Sequence, residues 1–315
     1  MPLDPRLRRY LEVIAFAGGG RPTTIAARRT GLEGLGRLAG APVPVASVED
    51  LALDGAAGAL AGRLYRPLAP SGAGLLYFHG GGFVGGSLDA HDAIYRRLAT
   101  ASGCTLVAAT YRLAPEHPFP AAHADARAVL SGLAGHLAAL GLDPARLAIG
   151  GDSAGANLVA GLCQAVRDAG GPPIAAQLLL CPVLDVAGEG ESYRLYGEGH
   201  GLDRATLALD IAAYAAGADP ADPRLSPLRA PSLAGLPPAL IHTAECDMVR
   251  DDGAAYAERL AQAGVAVRHT CHPGMIHHFY GMGGLIPEAG QALDAIGAEL
   301  GAVLSASRSR GGAVR

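Results

Sequence analysis

Short apolar runs alternate with longer helical patterns between Leu75 and Val303, and this alternation restricts the chain to one class of fold. The runs are bounded by Gly, Pro or Asp and lie at Leu75–Phe78, Thr105–Tyr111, Leu147–Gly150, Ala176–Val183, Ala239–Ala244 and Val265–Cys271. The helical patterns between and after them lie at Asp89–Ala101, Ala121–Leu140, Ala154–Arg167, Asp252–Ala263 and Pro287–Val303. Strands that alternate with helices form parallel β-α-β units. We therefore predict an α/β fold with a mostly parallel central sheet and helices on both faces.

Two segments interrupt the alternation. Residues 1–42 carry helical patterns at Pro5–Phe16 and Thr23–Ala39, and residues 186–229 are longer than a crossover needs. We interpret both as parts of a helical cap over one end of the sheet; solvated decoration is the alternative. Two strand-like runs in Val45–Pro67 predict an antiparallel start to the sheet. The predicted organisation is N-terminal cap helices at 1–42, core at 43–185, a cap insertion at 186–229, core at 230–304 and a disordered tail at 305–315.

The composition excludes several chemistries and partners. The chain has 315 residues and no lysine, so all 25 basic residues are arginine. Schiff-base enzymes, phosphate-loop lysines and serine–lysine dyads are therefore excluded. The net charge of −4 gives no reason to expect a nucleic-acid partner. No uncharged apolar run reaches about 18 residues, so we expect no membrane span.

The cysteines indicate a reducing compartment. Their number is odd and their spacing suits neither a disulfide framework nor a metal site: Cys104, Cys163, Cys181, Cys246 and Cys271. The N-terminus lacks the apolar stretch of a secretory signal. We therefore expect buried thiols and a cytoplasmic location. The sequence leaves the oligomeric state open, with a homodimer as one alternative.

Residues Gly151-Asp152-Ser153-Ala154-Gly155 fit the pattern G-x-S-x-G. A strand pattern precedes this segment and a helix pattern follows it, which places Ser153 on a strand-to-helix turn. Glycines on both sides suit a strained turn that lifts a nucleophilic hydroxyl clear of the sheet. The helix N-terminus then points to where negative charge develops. The alternative is a glycine-rich turn in which Ser153 only caps the helix.

The segment His79-Gly80-Gly81-Gly82-Phe83 follows an apolar run, as an oxyanion segment of lipases and esterases does. Backbone N–H groups without side chains can approach a tetrahedral oxyanion closely. We predict the amides of Gly80, Gly81 and Ala154 as donors. His79, Gly82 and Asp152 would support these motifs, His79 by orienting the loop. A phosphate-binding loop is the alternative, but the G-x-G-x-x-G spacing and the lysine are missing.

A base and an acid are expected late in the chain. Met275-Ile276-His277-His278-Phe279 follows the last strand-like run, and on position alone His277 and His278 compete for the base. Asp247 follows the run Ala239–Ala244, where a carboxylate can orient an imidazole. Asp185 also ends a strand-like run and is the rival acid. Asp251 and Asp252 suit the start of a helix. A reactive cysteine at Cys271 is not favoured, because His272 beside it would point to the opposite face of a strand.

In combination these segments resemble the hormone-sensitive-lipase-like family of microbial carboxylesterases, within the α/β-hydrolase superfamily. The resemblance covers about residues 45–303. The matching segments are Tyr77–Ser87 (YFHGGGFVGGS), Tyr111–Ala121 (YRLAPEHPFPA), Gly151–Leu158 (GDSAGANL), Leu236–Gly253 (LPPALIHTAECDMVRDDG) and Gly274–Phe279 (GMIHHF). Two positions depart from the pattern, since Ala156 and His278 stand where the family usually has glycine.

The resemblance implies the α/β-hydrolase fold and hydrolysis of short- to medium-chain acyl esters through an acyl-enzyme. It assigns Ser153 as nucleophile, Asp247 as acid and His277 as base, with no metal or organic cofactor. Phe83, His278 and Phe279 are the candidates for the acyl or alcohol pocket. The expected partner is a small-molecule ester. The alternatives are an amidase, a lactonase, an arylformamidase or a catalytically silent ligand receptor on the same fold.

Overall fold

The computed structural model describes residues 3–16 and 22–311, and its centre is an eight-stranded sheet. The strands are β1 (Ser47–Gly55), β2 (Gly58–Arg66), β3 (Gly74–Phe78), β4 (Thr105–Ala109), β5 (Leu147–Asp152), β6 (Ala176–Leu180), β7 (Ala239–Ala244) and β8 (Val267–His272). Their order is β1-β2-β4-β3-β5-β6-β7-β8. The β1–β2 and β2–β4 pairs are antiparallel, and the remaining pairs are parallel. This agrees with the predicted mostly parallel sheet and its antiparallel start.

Helices cover both faces of the sheet. In the described part of the chain they are α1 (Pro5–Phe16), α2 (Ile25–Leu35), α3 (Asp92–Ser102), α4 (Ala121–His136), α5 (Ala154–Ala169), α6 (Glu191–Tyr196), α7 (Arg204–Ala215), α8 (Arg250–Gln262) and α9 (Pro287–Gly311). One hydrophobic core joins the sheet to α4, α5 and α8, and the other joins it to α1, α3 and α9. Strands covered on both sides should read as continuous apolar runs. Every residue of β3, β4, β5, β6 and β7 is buried.

Residues 186–229, the predicted cap insertion, contain two α-helices that pack against the rest of the chain. Its two helices, α6 and α7, share a small hydrophobic cluster with the loop that follows β7, in which Tyr193 and Leu207 pack near Met248. The side chain of Asp203 caps α7 by accepting a hydrogen bond from the Thr206 amide at 2.9 Å. The helices therefore have both an apolar contact surface and a defined start.

The C-terminal helix differs from the prediction. We expected order to end at residue 304, but α9 continues to Gly311; residues 312–315 lie outside the described part. Leu300 and Leu304 are fully buried, and neither proline nor glycine follows before Gly311, so nothing ends the helix at 304. In the ranges 3–16 and 22–311, no helix is long and apolar enough to cross a membrane.

Candidate active site

The predicted site residues follow four strands at the same edge of the sheet. The glycine-rich segment follows β3, Ser153 follows β5, Asp247 follows β7 and His277 follows β8. The neighbours of β3 are β4 on one side and β5 on the other, so the chain changes direction across the sheet at this point. The carboxyl edge of a parallel sheet at such a switch is the usual place for a ligand.

Ser153 lies in a turn that only a glycine-flanked sequence can form. Its backbone has φ 51° and ψ −115°, a sparsely populated conformation. A Cβ atom on Gly151 would lie 2.5 Å from the carbonyl oxygen of Gly155, and a Cβ on Gly155 would lie 2.0 Å from that of Phe78. Both distances are shorter than any van der Waals contact. The structure thus explains the two glycines of G-x-S-x-G.

Ser153, His277 and Asp247 form a continuous chain of hydrogen bonds. His277 Nε2 lies 3.0 Å from Ser153 Oγ, and His277 Nδ1 lies 2.7 Å from Asp247 Oδ2. Asp247 is 1% exposed, and its other oxygen accepts a bond from the Val249 amide at 3.1 Å. Because an ionised carboxylate only accepts hydrogen bonds, Nδ1 is the donor and Nε2 presents a lone pair to the serine hydroxyl. The rival acid, Asp185, instead bonds Arg229 at 2.7 Å.

The glycine-rich segment is packed too closely for side chains. A Cβ on Gly80 would lie 2.3 Å from Asp152 Oδ2, and one on Gly82 would lie 2.0 Å from Asp210 Oδ2. Gly81 has φ 125°, which disfavours any residue with a Cβ. Gly80 and Gly81 line the same cavity as Ser153. Their backbones are therefore open to a ligand that reaches the serine.

His79 lies beneath this loop. Its Nδ1 donates to the carbonyl of Gly80 at 2.8 Å, and its ring stacks on Tyr111 at a centroid distance of 4.7 Å. Burial lowers the pKa of His79 to about 4, so the ring is neutral near pH 7. A neutral, buried imidazole bonded to the loop backbone is suited to orienting the loop, the role expected from the sequence.

A cavity of about 720 Å³ opens above Ser153 and His277. Part of its lining comes from α1, α2 and residues 186–229: Tyr10, Ile14, Arg28, Leu32, Leu202 and Thr206. Arg28 Nη2 lies 2.9 Å from Asp210 Oδ2 and so ties α2 to α7 over the glycine-rich segment. Burial raises the pKa of Asp210 to about 6, against the lowering effect of Arg28.

Two of the three pocket candidates lie in the core rather than at the cavity. Phe83 is 1% exposed and stacks face to face on Tyr214 at 3.9 Å. Phe279 is fully buried, with its ring 4.5 Å from that of His272. Neither lines the cavity. The backbone of Phe83 has φ 64°, which turns its side chain into the core. His278, the third candidate, does line the cavity.

Sequence reasoning named Asp152 as a supporting residue but missed three residues that contact it: Tyr77, Tyr280 and His91. Asp152 Oδ1 accepts a bond from Tyr77 at 3.1 Å, and Asp152 Oδ2 accepts one from Tyr280 at 3.0 Å and lies 3.4 Å from His91 Nε2. The sequence feature closest to this group of residues was His278, which stands where the family usually has glycine. Burial, followed by the neighbouring His91, lowers the pKa of His278 to about 3.

Cys181 lies beside the hydrogen-bonded residues, which the sequence did not indicate. A ligand atom each of Cys181, Asp247 and His277 lies within 4.8 Å of the others. Burial, followed by the negative charge of Asp247, raises the pKa of Cys181, which keeps it a neutral thiol.

Asp252 lies in the first turn of α8, as the sequence predicts. Its carboxylate also holds the loop after β6, where it accepts bonds from the amides of Leu184 and Asp185 at 2.9 and 3.1 Å.

The sheet order and the serine on its strand-to-helix turn define the class of protein. The chain matches the alpha/beta hydrolase fold family over residues 75–281 and belongs to that family. It is 40% identical over 309 residues to an ethyl acetate hydrolase of Pseudomonas putida, covering 93% of this chain and 96% of the relative. It is 40% identical over 297 residues to esterase LipI of Mycobacterium tuberculosis, covering 92% of each chain. The structure of an ester-hydrolase from the metagenome of Lake Arreo, complexed with a derivative of bipyridine phosphonate, has a TM-score of 0.91 and 39% identity, covering 96% of this chain and 99% of that one.

Proposed function

We propose that this chain is a serine carboxylesterase that hydrolyses short- to medium-chain acyl esters through an acyl-enzyme. The observation that carries the proposal is the hydrogen-bonded series from Ser153 Oγ through His277 to Asp247, at 3.0 and 2.7 Å. Such a series supplies a nucleophile, a base and a group that fixes the tautomer of the base. The relatives named as an ethyl acetate hydrolase and an esterase support the same reaction class.

In the first half of the reaction, Ser153 attacks the ester carbonyl while His277 Nε2 takes the hydroxyl proton. The carbonyl oxygen gains negative charge, which the backbone amides of Gly80, Gly81 and Ala154 would stabilise. Loss of one such donor costs roughly 3 kcal/mol of barrier. His277 then gives its proton to the leaving alcohol, and the acyl group stays on Ser153.

In the second half, His277 takes a proton from water, and the resulting nucleophile attacks the acyl-enzyme. The acid is released when His277 returns the proton to Ser153 Oγ. Asp247 stays ionised and stabilises the imidazolium in both halves.

The cavity supports an ester with a modest acyl chain. Its volume of about 720 Å³ lies in the range of small-molecule sites, and its lining is largely apolar. We propose that residues 1–42 and 186–229 act as a cap, since both segments supply residues to this lining. A cap of this kind limits the substrate and excludes water from the reacting atoms.

Replacement of Ser153 tests the proposal. We expect Ser153→Ala to lower kcat for p-nitrophenyl butyrate at least about 10⁴-fold and to abolish labelling by a fluorophosphonate. Ser232→Ala, in an exposed loop, is the matched control and should retain both activities. Full activity in Ser153→Ala would refute the mechanism. Preferential cleavage of matched amides or lactones would support the serine mechanism but would show that an acyl ester is not the preferred substrate.

We further propose a cytoplasmic location, which is supported by the five cysteines being free thiols with no disulfide between them. Alkylation of the denatured protein from cell extract should modify all five, and a disulfide would contradict the proposal. The homodimer considered from the sequence stays a prediction, which light scattering of the purified chain would measure.

A further inference from the structure

Three side chains with metal-binding atoms meet at one wall of the ester cavity. They are His91, immediately before α3; Asp152, the last residue of β5; and His278, in the loop after β8. One ligand atom of each lies within 4.8 Å of the others, and all three line the cavity. They are 5%, 1% and 8% exposed. The proposed ester reaction gives none of the three a direct part.

Two of the three side chains are already in contact. His91 Nε2 lies 3.4 Å from Asp152 Oδ2, and His91 Nδ1 lies 3.3 Å from the carbonyl oxygen of Ser87. Because a carbonyl oxygen can only accept, a hydrogen bond there has Nδ1 as its donor. Nε2 is therefore the nitrogen of His91 that an ion beside Asp152 would meet.

His278 provides a second, independent observation. Its Nε2 is buried and has no hydrogen-bond partner in the described part of the chain. A buried nitrogen without a partner costs free energy, and donation of its lone pair to a metal ion would offset that cost.

Asp152 and His91 are held in place by further hydrogen bonds. The hydroxyls of Tyr77 and Tyr280 donate to the two oxygens of Asp152 at 3.1 and 3.0 Å, and His91 Nδ1 is held by a backbone carbonyl. Outer hydrogen bonds of this type orient ligating carboxylates and imidazoles. Metal–ligand bonds of about 2.1 Å in a tetrahedral arrangement separate neighbouring ligands by about 3.4 Å. The distance from His91 Nε2 to Asp152 Oδ2 has this value.

We propose that His91, Asp152 and His278 bind one divalent transition-metal ion, with its remaining coordination positions open to the cavity. Two imidazoles and one carboxylate suit zinc and iron(II), whereas magnesium and calcium favour sites made of oxygen alone. This site goes beyond the proposed esterase function and does not depend on it. Because Asp152 precedes Ser153, the ion would lie beside the ester site as a separate centre.

Metal titration of the full chain tests the proposal. After treatment with a chelator, the wild-type protein should bind one equivalent of Zn²⁺ by calorimetry. His278→Gly and His91→Gln should each weaken binding at least about tenfold. His123→Gln is the matched control, because His123 Nε2 is also buried without a partner but lies outside the group. Circular dichroism melts establish that each variant is folded.

Spectroscopy of the wild-type zinc complex keeps the test decisive if a variant does not fold. X-ray absorption should report two imidazole nitrogens, oxygen ligands and no sulfur. A zinc–sulfur distance would place the ion at Cys181, Asp247 and His277 instead and would overturn the proposal. No binding tighter than about 1 mM would also overturn it, as would unchanged affinity in His278→Gly and His91→Gln. These results are independent of Ser153 labelling, which tests the esterase.

Discussion

The substitution Asp247→Asn separates the two aspartates that the sequence left as candidates for the acid. An asparagine at this position can still accept the bond from the Val249 amide, which Asp247 Oδ1 accepts at 3.1 Å. Its amide group would donate to His277 Nδ1, where the carboxylate accepts at 2.7 Å. His277 would then carry its proton on Nε2, which faces Ser153 Oγ at 3.0 Å and could no longer take the hydroxyl proton. The variant should fold normally and lack a competent base.

Two considerations give the size of the loss. The imidazolium formed in the reaction loses a negative charge at about 4 Å, worth about 4 kcal/mol at an effective dielectric constant of about 20. That corresponds to about 10³ in rate. Loss of tautomer control in a serine–histidine–aspartate triad costs about 10⁴ in kcat. We therefore expect kcat to fall between about 10³-fold and 10⁴-fold, with KM nearly unchanged because Asp247 does not line the cavity.

The assay is steady-state hydrolysis of p-nitrophenyl butyrate, with a circular dichroism melt for each protein. Asp185→Asn is the matched control, since its carboxylate bonds Arg229 and the Ala187 amide rather than an imidazole. It should retain kcat within about twofold, as a substitution remote from the reacting atoms does. If folded Asp247→Asn keeps more than about a tenth of kcat, or if Asp185→Asn loses as much, the assignment of the acid fails.

Three further predictions concern the core, the cavity and a buried carboxyl group. Phe83→Leu should lower the free energy of unfolding by about 1–3 kcal/mol and leave the acyl-chain preference unchanged, because Phe83 is a core residue. Leu202→Phe should fill part of the cavity and therefore lower kcat/KM for the p-nitrophenyl ester of octanoate relative to that of acetate. If Phe83→Leu changes the acyl-chain preference measured with p-nitrophenyl esters, Phe83 does contribute to the substrate pocket. Burial raises the pKa of Asp252 from 3.8 to about 8, so the folded chain holds a proton that the unfolded chain has released between these pH values. Stability should fall there by up to about 1.4 kcal/mol per pH unit, and urea unfolding at several pH values should find a shallower slope in Asp252→Asn; parallel slopes would contradict this.

The fold and the serine on its turn could be predicted because their signals are local. A glycine-flanked serine between a strand and a helix occupies five consecutive residues, Gly151 to Gly155. The alternation of apolar runs likewise needs no knowledge of distant parts of the chain. Position alone did not separate His277 from His278; the family pattern favoured His277, and the structure places its Nε2 beside Ser153 Oγ.

The features that sequence reasoning missed all depend on packing between distant segments. The ring of Phe83 stacks on Tyr214 of α7. Phe83 is therefore part of the core because a helix from residues 186–229 packs against it. The contact between His91 and Asp152 joins residues 61 positions apart, one just before α3 and the other at the end of β5, which lies next to β3 in the sheet. Hydrophobic periodicity carries no information about such pairs, since it describes which face of one element is buried.

His278 links the departure from the family pattern to the stability of the protein. Its backbone has φ 66° and ψ 17°, a left-handed conformation that costs a residue with a Cβ about 1 kcal/mol relative to glycine. Its buried Nε2, without a partner in the described residues, adds about 1–3 kcal/mol. Glycine removes both costs, so in the presence of a chelator His278→Gly should raise Tm despite the cavity that it leaves. In the presence of zinc the wild-type chain should have the higher Tm. Only the wild-type chain has all three ligands, and ion binding stabilises the folded state by mass action. If zinc raises the Tm of both proteins equally, the histidine contributes nothing to the metal site, and its conformation needs another explanation.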